Sequence, residues 1–411
     1  MTSTNNIVFR SEQQQAIDLT VNSLKRNRKM LWNAKMRFGK TLCALEVARL
    51  CGYRRTLILT HRPNVRGEWF ESLLKLKLDG WLFGCKDPNA VAFDAQTFEA
   101  IEAKAKQDKN THYIYFASMQ DLRGSKRVNQ QKGIEKNDHI FNTHWDFLIV
   151  DEAHEGIMSR LGRDVIGELQ KRRTLRTLYL SGTPYNIQQM FDNTEVYHWD
   201  YCMEQAAKAA WTQAHANEPN PYEGLARMNI ITYNLAREMR SYRISETGAF
   251  NFAELFRTEN VPADEATNGA TTRFVHEADV RKFVKLISKN STNKLYPYAN
   301  KQLSGSLDHT LWYVPGVQAA HCLARILSEQ TPDNPFDQYT IVDVAGEGNS
   351  AEERSDIYEQ TKHERDALER VKTAIANNKL TITLSCGRLT MGVSVPEWTA
   401  VLMLAGAAET G

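Results

Sequence analysis

No stretch limits the fold of this chain more than "KMLWNAKMRFGKTLCALEVARL". An apolar run ends at Ala34, a short turn carries a single glycine, and a helical pattern follows, with Leu42, Leu45, Val47, Ala48 and Leu50 at roughly helical spacing. A strand that feeds a helix through so short a turn commits the chain to βα units. Further apolar runs, "RTLILT", "HYIYFAS", "DFLIVD" and "TLYLSG", alternate with helical stretches across residues 1–200. That alternation predicts an α/β fold, a parallel sheet with helices on both faces.

The turn itself points to chemistry. At a strand–turn–helix junction the free N–H groups of the first helical turn and the helix dipole favour a phosphate. Lys40 is placed to neutralise β and γ oxygens, the Thr41 hydroxyl to ligate Mg²⁺, and Gly39 to let the backbone turn without a Cβ clash. A Gly-Lys-Thr triplet alone says little, but "WDFLIVDEAHEG" adds a second element. Its apolar strand empties into Asp151 and Glu152, and two adjacent carboxylates at a strand end are costly without a cation. Asp151 is the expected Mg²⁺ anchor and Glu152 the expected base that polarises water. No second His or Cys stands near His154 at zinc-ligand spacing. The expected role of His154 is coupling to "LYLSGTPYN", which ends a further strand in Ser181, Gly182, Thr183 and Pro184.

The order "FRSEQQQAI", "AKMRFGKT", "TLILTHRP", "FASMQ", "DEAH", "SGTP", "LWYVPGVQAAHCLA" and "GRLTMGVSVPEW" resembles the superfamily 2 helicases and translocases. The likeness runs to the DEAD/DEAH branch found in bacterial and phage restriction or defence systems. It implies tandem RecA-like doubly wound parallel sheets and an ATP-driven motor with Mg²⁺ as cofactor. It also implies that Gln13, with Arg10 nearby, reads the adenine, while Lys40 and Thr41 hold phosphates and Mg²⁺. Asp151 and Glu152 would serve hydrolysis, and Ser181 and Thr183 would link the nucleotide to nucleic acid. Arg62, Arg66, Ser118 and Thr390 occupy motif positions at which the family grips nucleic acid.

Two departures stand out. The family's loop usually reads Gly-Ser-Gly-Lys-Thr, whereas this chain has Arg37, Phe38, Gly39, Lys40 and Thr41. Arg37 is a candidate nucleotide contact, or a reach to the second domain, or a surface ion pair. Ser394 stands where the DEAD-box pattern has an aspartate that contacts the ribose.

A chain of 411 residues exceeds the size of one core, and the pattern divides it into a RecA-like ATP-binding domain over 1–200, a connector with an inserted subdomain over 201–305, and a second RecA-like domain over 306–411. The second domain reads as incomplete at its C-terminal end, because no arginine follows Arg388 to cross to the γ-phosphate. "RGSKRVNQQKGIEKNDHIF" reads as a polar surface loop. A net charge of +2 does not announce a nucleic-acid binder, but "THRPNVRGEW" puts Arg62 and Arg66 just beyond a strand's carboxyl end, where doubly wound sheets bind ligands. Six cysteines without a C-x-x-C pair suit reduced thiols in the cytoplasm, and no apolar run approaches the roughly eighteen residues of a membrane span.

The expected function is an ATP-dependent nucleic-acid translocase or helicase, acting on DNA rather than RNA, with a nuclease or methyltransferase as partner. The alternative from another class is an ATP-binding, nucleic-acid-clamping module without efficient hydrolysis of its own. No carboxylate and lysine cluster of a nuclease stands apart from the helicase motifs.

Overall fold

The computed structural model describes residues 7–60, 66–78, 80–86, 95–119, 122, 137–158, 160–215, 218–244, 248–261, 272–346, 357–390, 393 and 395–405. The chain forms two compact units, Met1–Asn229 and Ile230–Gly411.

In the first unit, helix α1 (Ser11–Ser23) precedes β1 (Lys29–Ala34), and α2 (Lys40–Leu50) follows it through the glycine turn. Then come β2 (Arg55–Thr60), α3 (Arg66–Lys75), β3 (Leu82–Cys85), α4 (Phe98–Gln107), β4 (Tyr113–Ser118), α5 (Asp138–Asn142) and β5 (Phe147–Asp151). Helices α6 (Ala153–Met158) and α7 (Arg160–Gln170), strands β6 (Arg176–Ser181) and β7 (Val196–Trp199), and helix α8 (Tyr201–Ala214) complete it. The seven strands form one sheet in the order β3-β4-β2-β5-β6-β1-β7. Every pairing in it is parallel, so the carboxyl ends share one edge.

Both faces are covered, as apolar runs without polar alternation require. Successive strand side chains point to opposite faces. Met30, Trp32 and Ala34 of β1 accordingly pack in a core with α1, α2 and α3, through Ile17, Val47 and Trp69. Leu31 faces the other core, with Ile101 of α4, Ile140 of α5 and Val165 of α7. This is a doubly wound sheet.

The second unit opens with short helices α9 (Leu235–Glu238) and α10 (Phe252–Leu255) and an antiparallel pair β8 (Thr258–Asn260) and β9 (Thr272–Phe274). Helix α11 (Glu277–Ile287), β10 (His309–Tyr313), α12 (Val317–Leu327), β11 (Thr340–Asp343), α13 (Ile357–Asn377), β12 (Thr381–Ser385) and β13 (Ala400–Met403) follow. Its main sheet has four parallel strands in the order β11-β12-β10-β13. One core joins Trp312, Ile382 and Leu384 to α11 and α12, and another joins Val342 and Val344 to Ala367 and Val371 of α13.

The stretch 201–305, expected as a connector, is shared between the units, with α8 in the first and α9 to α11 in the second. Its first fourteen residues are a helix that Asp200 caps, accepting from the Met203 N–H at 2.8 Å. The polar segment expected as a loop up to Phe141 ends in α5, where Ile140 and Phe141 are buried; residues 123–136 lie outside the described set.

Candidate nucleotide site

Strands β1, β5 and β6 are neighbours, so the residues that follow them meet at one edge of the sheet. After β1 the chain turns at Arg37, with φ 64°, and at Gly39, with φ 93°, before entering α2. The second turn favours glycine because φ 93° strains any L side chain, and a Cβ there would also crowd the Gln13 amide nitrogen at 2.7 Å. Phe38 faces inward and is fully buried, its ring 6.2 Å from Trp32, 6.0 Å from Tyr197 and 6.4 Å from Trp199. The bulky residue in place of a small one thus anchors the loop to the sheet. Arg37 is exposed and makes no ion pair or hydrogen bond among the described residues.

The Lys40 ammonium donates to the carbonyls of Ala34 at 2.8 Å and Lys35 at 3.2 Å. Burial lowers its pKa, against the opposing charges of Glu152 and Asp151. Asp151 ends β5, and burial together with the charge of Glu152 raises its carboxyl to about 6. Trp69 of α3 donates its indole N–H to Asp151 Oδ2 at 3.1 Å, and the Glu152 N–H reaches Oδ1 at 3.0 Å. Glu152 holds φ 47°, an uncommon backbone for a non-glycine residue and one often retained at functional sites. The carboxylate pair is therefore held together against its own repulsion. Such a pair, with the half-buried Thr41 beside Lys40 in the first turn of α2, offers the hard oxygens that suit Mg²⁺.

His154 Nδ1 shares a 2.9 Å hydrogen bond with Ser181 Oγ and stands 3.5 Å from Glu152 Oε2. Ser181 Oγ also accepts from the Thr183 N–H at 3.1 Å. "DEAH" and "SGTP" are thus in direct contact beyond β5 and β6. Among the described residues no group of three or more His, Cys, Asp and Glu side chains could hold a metal ion.

On the other side of the loop, Gln13 donates to the Phe38 carbonyl at 2.7 Å and Arg10 donates to the same oxygen at 3.0 Å. The Arg10 N–H reaches Gln13 Oε1 at 2.9 Å. The Gln13 amide keeps one further donor and one further acceptor position.

The expected nucleic-acid residues are less assembled. Arg62 and Ser394 lie outside the described residues, and Arg66 begins α3. Thr183 is exposed at the end of β6. Ser118 ends β4 at 2 % exposure, in parallel register with Thr60 of β2. Thr390 belongs to the second unit, exposed, with its hydroxyl donating to the Gly387 carbonyl at 2.7 Å. Sequence reasoning missed Trp69, although its place in "RGEWF", one helical turn after Arg66, was a usable signal.

Residues 6–186 match the family model described as "Type III restriction enzyme, res subunit". The first unit is a superfamily 2 helicase domain of the restriction-enzyme branch. A putative type II restriction enzyme and methyltransferase (C-terminus) from Mycoplasma pneumoniae is 23% identical to the chain over 427 aligned positions, covering 92% of this chain and 56% of that protein. The structure titled "ATP-dependent Type ISP restriction-modification enzyme LlaBIII bound to DNA" superposes on 97% of this chain and 25% of its own, with a TM-score of 0.55 and 12% identity. The chain therefore spans about half of that relative and a quarter of that solved enzyme. The helicase domain and the smaller parallel sheet after it have the architecture of tandem RecA-like domains.

Proposed function

We propose that this chain is an ATP-dependent translocase or helicase that works on DNA in a restriction or phage-defence system. The observation that carries the reading is the edge where half-buried Lys40, the raised Asp151 carboxyl and the strained Glu152 converge beside the phosphate-type turn. In this reading the first N–H groups of α2 and Lys40 hold the β and γ phosphates. Bound Mg²⁺, held by Thr41 and Asp151, would neutralise charge on the phosphate oxygens. Glu152 takes the proton of the attacking water, and its backbone holds it in place. His154 and Ser181 tie Glu152 to the segment carrying Thr183, the route by which nucleic acid reaches the hydrolytic group. Gln13 uses its remaining donor and acceptor on the adenine edge, and Arg37 reaches a phosphate.

DNA is favoured over RNA because the solved enzyme that shares the fold is titled as bound to DNA, and a methyltransferase or nuclease partner because the relative carries those names. No described helix is long and apolar enough to cross a membrane, and the six cysteines are free, as suits a place of action in the cytoplasm. Steady-state ATP hydrolysis with single-stranded DNA, duplex DNA and RNA tests the reading. Stimulation by DNA, with affinity that falls steeply with salt and depends little on sequence, is the expected result. ATP binding without turnover under any of these conditions would leave the clamping module instead.

A further inference from the structure

The segment after α8, "NEPNPYEGL", carries no motif, yet it returns a tyrosine to the far end of the nucleotide turn. Glu12 is 3 % exposed, and a carboxylate so deeply placed must be paired. Its Oε1 receives the Arg10 Nε–H at 2.6 Å, and its Oε2 receives the Tyr222 hydroxyl at 2.7 Å. The Arg10 guanidinium also lies 5.6 Å from the centre of the Tyr222 ring, within cation–π range. Tyr222 thus touches Arg10 twice, through its ring and through Glu12.

Arg10 in turn fixes two things. Its side chain holds the Phe38 carbonyl, and its backbone N–H holds the Gln13 amide oxygen. Tyr222 itself is held by a built support. Its N–H donates to Asn220 Oδ1 at 2.9 Å, and Asn220 Nδ2 donates to the Lys208 carbonyl at 3.2 Å and to Thr212 Oγ1 at 3.0 Å on α8. Lys208 closes the strap by donating to the carbonyls of Glu223 and Leu225. At 3 % exposure the ring is too buried to stack on a base, so it acts through Arg10.

We infer that Tyr222, on a strap carried by α8, is a positioning residue for base recognition: through Glu12 it sets Arg10 and Gln13 for the amino edge of an adenine nucleotide. This rests on the nucleotide reading above. It makes part of the segment expected as a connector a component of the site, and it makes base selectivity separable from phosphate binding.

The test is competition binding of Mg·ATP, Mg·GTP and tripolyphosphate by the full chain and by Tyr222→Phe, which removes only the hydroxyl. The expected result is about a tenfold loss for ATP, a narrower preference for ATP over GTP, and unchanged tripolyphosphate affinity. Asn220→Ala, which loosens the strap and leaves the Glu12 pair chemically intact, should shift base preference in the same direction. Equal losses for ATP and tripolyphosphate in both variants would show a merely structural role and overturn the inference. So would an unchanged ATP-to-GTP ratio. If the unmodified chain binds ATP no better than tripolyphosphate, base recognition itself is absent and the nucleotide reading fails first.

Discussion

Replacing Arg37 by glycine separates two properties of the turn. At φ 64° Arg37 occupies the left-handed region, which costs an L-residue about 1–2 kcal/mol. Glycine removes that cost but brings about 0.5–1 kcal/mol of extra freedom to the unfolded chain. The net expectation for Arg37→Gly is a gain of about 0–1.5 kcal/mol. Because Arg37 has no ion pair or hydrogen bond among the described residues, none of these residues offsets that gain. For a unit of the size of Met1–Asn229, each kcal/mol moves the thermal midpoint by about 2–4 °C, so a rise of up to about 6 °C is expected. Affinity should move the other way. A charge-assisted contact to a phosphate lost from the turn corresponds to about tenfold, or about 1.4 kcal/mol, in Mg·ATP binding. Thermal unfolding and titration calorimetry with Mg·ATP and AMP measure both, and AMP affinity should stay constant. A lowered midpoint would refute the strain argument. A raised midpoint with unchanged Mg·ATP affinity would remove Arg37 from the phosphate site.

Lys40→Ala should abolish most Mg·ATP binding in calorimetry, whereas Glu152→Gln should retain binding and lose turnover in a steady-state assay. Trp69→Phe keeps the buried ring but removes the N–H donated to Asp151, so nucleotide affinity should become less dependent on Mg²⁺ while metal-free nucleotide affinity stays the same. The Asp151 carboxyl has a folded pKa of about 6, raised above its unfolded value, so its contribution to stability is full below about pH 4 and lost as pH rises through about 6. Urea unfolding of the metal-free protein should show that decline, and Asp151→Asn should flatten it. Mg²⁺ binding should strengthen over the same interval, because the ion competes with the proton.

What could be read from the sequence follows from how local each feature is. "RTLILT", "DFLIVD" and "TLYLSG" are continuous apolar runs, and each is a strand buried on both faces. Strand β3 escaped because it has four residues and Gly84 interrupts it, which reads as a turn. That glycine answers a contact distant in sequence: a Cβ there would lie 2.2 Å from Ile101 Cδ1. Helix α8 escaped because its alanines carry little apolar patterning. In the candidate site, the turn, the carboxylates and the His154–Ser181 contact sit at strand ends that motifs mark. Trp69 and Asp151 are 82 residues apart, and Tyr222 and Glu12 are 210 apart. Neither pairing leaves a periodic trace, since only the tertiary packing of elements distant in sequence brings the partners together.

Phe38 carries a further consequence, for the heat of binding. A glycine-rich turn is loose until a ligand orders it, and that ordering appears as an entropic penalty. Here a fully buried ring wedged among Trp32, Tyr197 and Trp199 has already spent that penalty during folding. Nucleotide association should therefore be quick and leave the loop's amide-exchange protection nearly unchanged, with a small entropic loss. Phe38→Gly should convert the same encounter into one that must freeze the turn first.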